Sequence, residues 1–178
     1  EQYRPKTLVL NAGVAPLMRP IQHQTWLTFS RNWEVDVQHA FHWLREALLL
    51  PLAPGSTVIA MSSGAARFGS PLSGGYAGAK AAIRFITDYA AEESVRAGLG
   101  IRFVSVLPKL TPATELGAMA VAAYAGRSGI SLDEFVKKQG PALQPEDVAR
   151  HIVDLATSTD RSPGAYLLTP DGLSSLEQ

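Results

Sequence analysis

The sequence predicts an α/β protein with a mainly parallel sheet of about four strands and helices on its flanks. Four short apolar segments rich in Val, Ile and Leu alternate with longer stretches of helical periodicity. Short apolar runs are typical of strands buried on both faces, which occur in parallel sheets. At 178 residues, the chain has the length of one domain with a sizeable core.

The composition excludes several classes of function. The formal net charge is zero, so no electrostatic argument favours a nucleic-acid or membrane partner. The chain contains no cysteine, which excludes disulfides and thiolate chemistry. No apolar run approaches the length of a membrane span. We therefore expect a soluble globular protein with a cytoplasmic location.

The first strand is predicted at Thr7–Leu10, because it is apolar and lies between Pro5 and Gly13. A helix is predicted for residues 24–50, with apolar side chains at helical spacing. Its expected break lies near Ser30, Arg31 and Asn32, which could cap its main part. His39, His42 and Glu46 share this helix, but no second ligand cluster accompanies them, so we predict a polar helix face and no metal site.

The second strand is predicted at Thr57–Met61 and is followed by Ser62 and Ser63. A loop rich in glycine comes next, and its glycines are expected to serve turns; they are Gly64, Gly69, Gly74 and Gly75. The next helix is predicted to open near Tyr76 and to run to about Ala97, where Gly98 and Gly100 end it.

Tyr76, Lys80 and Ser63 together suggest acid–base chemistry. Tyr76 and Lys80 are four residues apart and therefore share one helix face. A phenol has a pKa of about 10, and a neighbouring ammonium lowers that pKa. The Ser63 hydroxyl could bind a substrate oxygen at the same place. This set suits the interconversion of a carbonyl and an alcohol, for which a cofactor must supply the hydride.

The rest of the chain continues the alternation of strands and helices. A strand is predicted at residues 101–107, followed by Pro108. Residues 115–143 are rich in Ala and Gly and include a short helix. Pro145 opens a helix that runs to about Ala156, and the last strand is predicted at residues 165–168.

Ser63 with the Tyr-x-x-x-Lys pattern of Tyr76 and Lys80 closely resembles the active site of the short-chain dehydrogenases/reductases. Asn11-Ala12-Gly13 after a strand, the strand that ends at Pro108, and Asp171-Gly172 resemble further motifs of that family. The resemblance implies a Rossmann-like doubly wound sheet, here incomplete. It also implies an NAD(P)-dependent oxidoreductase that transfers hydride between NAD or NADP and a small-molecule carbonyl or alcohol.

The resemblance also implies roles for individual residues. The catalytic set is Ser63, Tyr76, Lys80 and Asp36, and the residues at the cofactor are Asn11, Ala12, Gly13, Tyr76, Lys80, Pro108 and Thr111. Asp36 stands where the family has an asparagine, and we expect it either to order a water or to pair with Lys80 in an altered proton relay. Lys109 replaces the family's glycine after Pro108. Thr114 is an alternative to Thr111 as the hydroxyl donor to the cofactor.

The family has three strands before the first strand predicted here, and a glycine-rich turn that binds the cofactor pyrophosphate. The printed sequence contains neither, and it opens with Glu1-Gln2-Tyr3-Arg4 and no methionine. We therefore expect residues 1–178 to form the C-terminal part of a single dehydrogenase domain, with residues 115–143 as the substrate lid.

The helix at residues 76–97 is apolar on most sides, which predicts a second buried face. By resemblance, we expect a homodimer or homotetramer formed through residues 24–50 and 76–97. Two other functions stay open. One is a non-catalytic oligomerisation or binding module, and the other is an epimerase or isomerase that uses the same tyrosine and lysine.

Overall fold

A five-stranded sheet forms the centre of the structure, a computed structural model that describes residues 5–160 and 162–176. The opening residues Glu1 to Arg4 of the predicted domain lie outside the described residues. The strands follow chain order across the sheet: β1 (Thr7–Leu10), β2 (Thr57–Met61), β3 (Arg102–Pro108), β4 (Gly164–Thr169) and β5 (Gly172–Leu176). The first four are parallel and β5 is antiparallel to β4.

Helices cover both faces of this sheet. They are α1 (Trp26–Asn32), α2 (Gln38–Leu49), α3 (Ala65–Phe68), α4 (Gly74–Arg96), α5 (Glu115–Ser128), α6 (Leu132–Gln139) and α7 (Pro145–Thr157). A short 3₁₀ turn (Ile21–His23) precedes α1, and a π-helical segment (Trp33–Val37) joins α1 to α2. The predicted α/β class with a mainly parallel sheet is thereby confirmed.

The alternation of side chains along β2 divides the core into two layers. Val58 and Ala60 pack with Leu44 of α2 and Ile83 of α4 on one face. The neighbouring Ile59 and Met61 belong to a second cluster on the opposite face, which contains Leu155 of α7. All five residues of β2 are buried, as an apolar run without polar alternation predicts for a central parallel strand.

The helix predicted for residues 24–50 has a different irregularity from the one expected. Thr25 caps α1 by accepting a hydrogen bond from the backbone N–H of Thr28, in a reciprocal capping box. Ser30 and Asn32 cap nothing, because Ser30 donates to Glu34 Oε1 and Asn32 donates to Val14 O. The predicted break is wrong, since the chain passes through the π-helical segment without leaving the helix.

The sheet has one more strand than the sequence predicted within the described residues. Thr169 pairs with Gly172 across a two-residue connection, so β4 and β5 form a hairpin. Ser174 and Ser175 in β5 are exposed to solvent, and the strand has apolar side chains only at Leu173 and Leu176. A strand that is half polar and lies at the edge of a sheet lacks the apolar run that identifies a buried strand.

Gly74 and Gly75 lie in the first turn of α4, so the prediction that they serve turns is wrong. A Cβ at Gly75 would lie 2.1 Å from the carbonyl oxygen of Phe29 in α1. Trp33 of the π-helical segment donates from Nε1 to the Gly75 carbonyl at 3.2 Å. The missing side chain therefore permits a close crossing of α1 and α4. By contrast, Gly69, Gly98 and Gly100 have positive φ, as residues that end helices often do.

β1 lies at one edge of the sheet and pairs with β2 alone among the described strands. Val9 on this strand is 41% exposed. In the described part of the chain, no helix combines the length and apolarity that crossing a bilayer requires.

Candidate active site

The predicted site residues gather at the edge of the sheet where the parallel strands end. Asn11 follows β1, Ser63 lies two residues beyond β2, and Pro108 ends β3. Crevices at the carboxyl ends of parallel strands are the usual ligand sites of open α/β sheets. The first two turns of α4 bring Tyr76 and Lys80 to the same edge.

Lys80 and Asp36 form a buried ion pair at this edge. The Nζ atom of Lys80 lies 3.3 Å from Oδ2 of Asp36, and their side chains are 8% and 1% exposed. Lys80 Nζ also donates to the carbonyl oxygen of Met61 at 3.2 Å. Oδ1 of Asp36 accepts the backbone N–H of Val14 at 2.9 Å. A buried pair is tolerated only when hydrogen bonds of this kind satisfy its remaining atoms.

Tyr76 lies beside both Lys80 and Ser63. Lys80 Nζ is 5.5 Å from the centroid of the Tyr76 ring, and the Ser63 side chain lies close enough to the phenol to lower its pKa. Ser63 Oγ also accepts the backbone N–H of Ala65 at 3.2 Å, which holds the serine at the start of α3. The structure therefore brings together the four residues that the resemblance named as a catalytic set.

Burial raises the pKa of Tyr76, and the hydrogen bond from Ser63 offsets part of this rise. The charges of Asp36 and Tyr124 raise the same pKa further. The structure therefore differs from the expectation that Lys80 lowers the pKa of Tyr76. The main physical reason is burial of the phenol, which disfavours the phenolate; the charge of the Asp36 carboxylate acts in the same direction.

Residues 11–14 follow the carboxyl end of β1, and Asn32 and Asp36 bind their backbone at Val14. Asn11, Ala12 and Gly13 are exposed. Val14 is held at both backbone groups, since its N–H donates to Asp36 and its carbonyl accepts from Asn32 Nδ2 at 2.7 Å. A Cβ at Gly13 would lie 3.0 Å from Asp36 Oδ2. Glycine at this position therefore lets the turn approach the carboxylate.

Two residues of the site were not predicted from the sequence as part of it. Asn32 is buried four residues before Asp36 on the same side of the helix. Ser62 is buried and donates to the carbonyl oxygen of Lys80 at 2.7 Å. Ser62 thereby fixes α4 against the end of β2. Two polar residues one turn apart, followed by a buried helix face, are the signal that could have identified Asn32.

The segment after β3 makes contacts that the sequence left open. Lys109 donates from its backbone N–H to Leu168 O and from Nζ to Gln139 O, both at 2.8 Å. Thr111 is buried, and its hydroxyl oxygen accepts the N–H of Ala113 at 3.2 Å. Thr114 caps α5 by accepting the N–H of Gly117 at 3.1 Å. The side chain of Lys109 therefore ties the end of α6 to the end of β3.

The predicted lid, residues 115–143, contains α5 and α6. Tyr124 of α5 and Phe135 of α6 stack, with their ring centroids 6.4 Å apart and their planes 12° from parallel. The Tyr124 hydroxyl is hydrogen-bonded to Ser70, in the loop that leads to Tyr76. Residues 115–143 thus contact the site side of the molecule through Tyr124 as well as through the Gln139 carbonyl that Lys109 binds.

The donors at the site fit the ribose and nicotinamide end of a dinucleotide. The Lys80 ammonium has three N–H donors. One is directed at Met61 O and one at Asp36, so the third is available for a ribose hydroxyl. The Tyr76 phenol and the Ser63 hydroxyl suit a reacting oxygen. The printed sequence has no glycine-rich strand-to-helix turn that would bind pyrophosphate, so the fit covers that end of the cofactor alone.

Comparisons with known proteins identify the family and the fold of this chain. The family model described as "Enoyl-(Acyl carrier protein) reductase" matches residues 4–164. The chain is 30% identical over 175 residues to (+)-borneol dehydrogenase 2 of Salvia officinalis, an alignment that covers 93% of this chain and 60% of that protein. The chain therefore spans about 60% of the length of this curated relative.

Two solved structures share the fold. Sorbitol-6-phosphate 2-dehydrogenase SrlD from Erwinia amylovora matches with a TM-score of 0.78 and 22% identity, over 91% of this chain and 66% of that one. An NAD⁺-bound xylitol dehydrogenase matches with a TM-score of 0.75 and 18% identity, over 89% of this chain and 65% of that one.

Proposed function

The chain belongs to the short-chain dehydrogenase/reductase family, a family of oxidoreductases, and on that premise we propose that the full-length protein interconverts a small-molecule carbonyl and alcohol with NAD or NADP. The observation that carries the proposal is the contact of Tyr76 with both Ser63 and Lys80 at the carboxyl edge of the sheet. The xylitol dehydrogenase of the same fold is described as NAD⁺-bound, which supports the cofactor class.

In the proposed mechanism, Tyr76 transfers a proton and Ser63 binds the substrate oxygen. Bound NAD(P) supplies or accepts the hydride. In reduction, the Tyr76 hydroxyl gives its proton to the substrate oxygen; in oxidation, the phenolate takes the proton from the alcohol. Ser63 donates a hydrogen bond to the same oxygen and stabilises its developing charge. The proximity of Ser63 to the Tyr76 phenol supports the assignment of both hydroxyls to one substrate oxygen.

The ion pair of Lys80 and Asp36 lies beside the Tyr76 ring. We assign Lys80 to the nicotinamide ribose, because one of its donors is left over after Met61 and Asp36. We assign Asp36 to the placement of Lys80, since the pair is buried and Asp36 is itself fixed by Val14 N–H. Of the two roles left open for Asp36, pairing with Lys80 is the one that this contact supports.

The proposal extends to the domain and its assembly. The chain spans 60% to 66% of the named relatives, and β1 at one edge of its sheet pairs with β2 alone among the described strands. We propose that it forms the C-terminal part of a single dehydrogenase domain, with α5 and α6 as the substrate lid. We also propose a homodimer or homotetramer through α1, α2 and α4, which expose large apolar side chains.

Tyr76→Phe in the full-length protein tests the function. The variant should retain NAD(P) binding and lose most of its turnover, because phenylalanine has no proton to transfer. Tyr166→Phe is the matched control: it also removes a hydrogen-bonded phenol, whose partner is Arg102 at 3.3 Å, outside the proposed site. The measurement is oxidation of NADH and NADPH with a panel of carbonyl compounds.

Unchanged turnover in Tyr76→Phe contradicts the proposal. If the wild-type protein binds no nucleotide, the function is that of a binding or oligomerisation module. Interconversion of a substrate without net oxidation of the nucleotide identifies an epimerase or isomerase instead.

A further inference from the structure

Three hydroxyl groups join the lid to the start of the catalytic helix. Ser70 Oγ is hydrogen-bonded to the Tyr124 hydroxyl and lies 2.6 Å from Ser73 Oγ. It also accepts the backbone N–H of Ser73 at 2.9 Å. We call Ser70, Ser73 and Tyr124 the hydroxyl cluster. Ser73 is buried, so its side chain depends on the cluster for its hydrogen bonds.

The hydroxyl cluster includes Ser73, the residue that would otherwise cap α4 with its side chain. Ser73 is the N-cap residue of α4, yet its side chain accepts no hydrogen bond from the first turn of the helix. Thr114 and Ser131 cap α5 and α6 in the usual way. The third residue of α4, whose N–H a capping serine would bind, is Tyr76. The Ser73 hydroxyl thus serves the contact with the lid and leaves the first turn without a side-chain cap.

Tyr124 is the member of the hydroxyl cluster that belongs to the proposed lid, and a stacking contact fixes its ring. Its ring stacks on Phe135, which ties α5 to α6. Its phenol is also near enough to Tyr76 for its charge to raise the pKa of Tyr76. The hydroxyl cluster is therefore a direct mechanical link between the lid helices and the turn that carries the proposed catalytic phenol.

We propose that Tyr124 is a positioning residue of the site: through Ser70 and Ser73 its hydroxyl fixes the first turn of α4, and so holds Tyr76 against Ser63. The inference rests on the proposed function for its catalytic consequence. Its structural part, the coupling of the lid to α4, concerns this chain alone.

Tyr124→Phe in the full-length protein tests the proposal, because it removes the hydroxyl and keeps the ring on Phe135. Without the hydrogen bond, we expect faster amide hydrogen exchange in residues 74–78 in the absence of cofactor. We also expect kcat to fall about fivefold, the effect of losing one hydrogen bond, with little change in KM. The limb of the oxidation profile on which the rate rises with pH should move to lower pH, since the phenol that raises the pKa of Tyr76 is gone.

Ser70→Ala should reproduce the faster exchange and the lower kcat but keep the wild-type pH profile, because it retains the Tyr124 phenol. For exchange and kcat, the double variant Ser70→Ala/Tyr124→Phe should add little to either single change, because both remove the same link. Tyr166→Phe is the control, for which exchange in residues 74–78 and kcat stay at wild-type values. Wild-type exchange, kcat and pH profile in Tyr124→Phe overturn the inference. If exchange increases while the wild-type protein shows no oxidoreductase activity, the coupling stands and the proposed function fails.

Discussion

At the scale of single residues, Asp36 brings a negative charge to the proposed site, where the resemblance implies an asparagine. An asparagine at this position would leave the Lys80 ammonium free to favour the Tyr76 phenolate. The aspartate instead pairs with Lys80 and adds a negative charge near the phenol. The site therefore favours the protonated phenol, which is the form that donates a proton in reduction.

Asp36→Asn should lower the pKa of Tyr76. The phenolate is the charged form, and a neighbouring carboxylate disfavours it, so removing the carboxylate favours it. Oxidation requires the phenolate, so the pH at which its rate rises should be lower in the variant than in the wild type. Reduction requires the phenol, so the pH above which its rate falls should also be lower in the variant. Profiles of kcat against pH in both directions measure the shift.

The control for this prediction is Glu34→Gln, which removes an exposed carboxylate two residues away, bonded to Ser30. Its pH profiles should match the wild type. Superimposable profiles for Asp36→Asn and the wild type would show that Asp36 does not influence the proton on Tyr76.

The sequence predicted the contacts among Tyr76, Lys80 and Ser63 because they depend on short-range helix geometry and on one strand end. It did not predict the clamp of Val14 by Asn32 and Asp36. That clamp joins residues 18 and 22 positions apart, and it depends on how the π-helical segment turns the helix. A helical periodicity of 3.6 residues does not describe such a segment.

At the scale of elements, the crossing of α1 and α4 holds the site together. Gly75 lies against the Phe29 carbonyl, and Trp33 contacts both Gly75 and Gly78. The next residue after Gly75 is Tyr76, so the crossing and the proposed acid share one turn. The helix pair therefore places the phenol, while the sheet places Ser63.

Gly75→Ala should destabilise the protein by about 1–3 kcal/mol, the usual cost of overpacking, because the new Cβ would lie 2.1 Å from a carbonyl oxygen. Gly126→Ala in α5 is the matched control, since nothing lies within 4 Å of its Cβ position. That change should stabilise the protein by about 0.5–1 kcal/mol, as alanine does within a helix. Urea unfolding measures both. Equal stability of Gly75→Ala and the wild type would contradict the close crossing.

The four parallel strands were predictable because each is an apolar run between turn residues. The strand β5 was not, because its exposed serines give it no apolar run and its pairing with β4 depends on a two-residue turn at Pro170 and Asp171. Gly75 was assigned to a turn for a related reason. A glycine in a Ser- and Gly-rich stretch is usually a turn residue, and the sequence does not show which helix will cross it.

At the scale of the whole molecule, large apolar side chains on the outside of α4 are exposed to solvent. Phe85 and Tyr89 lie one turn apart on this helix and are 52% and 58% exposed. On α2, Phe41 and Trp43 are about equally exposed, at 50% and 49%. An apolar surface of this kind is typical of a protein–protein contact.

Phe85→Lys should shift the protein to a smaller species in sedimentation velocity, because a charge in an apolar interface is left without a partner. Val153→Lys is the control: Val153 is 59% exposed on α7, on the other side of the sheet. It should sediment like the wild type. A wild type that sediments as a monomer, or a Phe85→Lys variant that sediments like an oligomeric wild type, would rule out α4 as the interface.

The order of strands in the sheet also bears on how the chain is made. Each strand lies beside the one that precedes it in the chain, so a nascent chain emerging from the ribosome can extend the sheet strand by strand without inserting one between two already paired. At every stage the newest strand forms the edge of the sheet and carries the unpaired backbone N–H and C=O groups. Of the described strands, β5 is added last, and its exposed serines give that side of the sheet a polar edge.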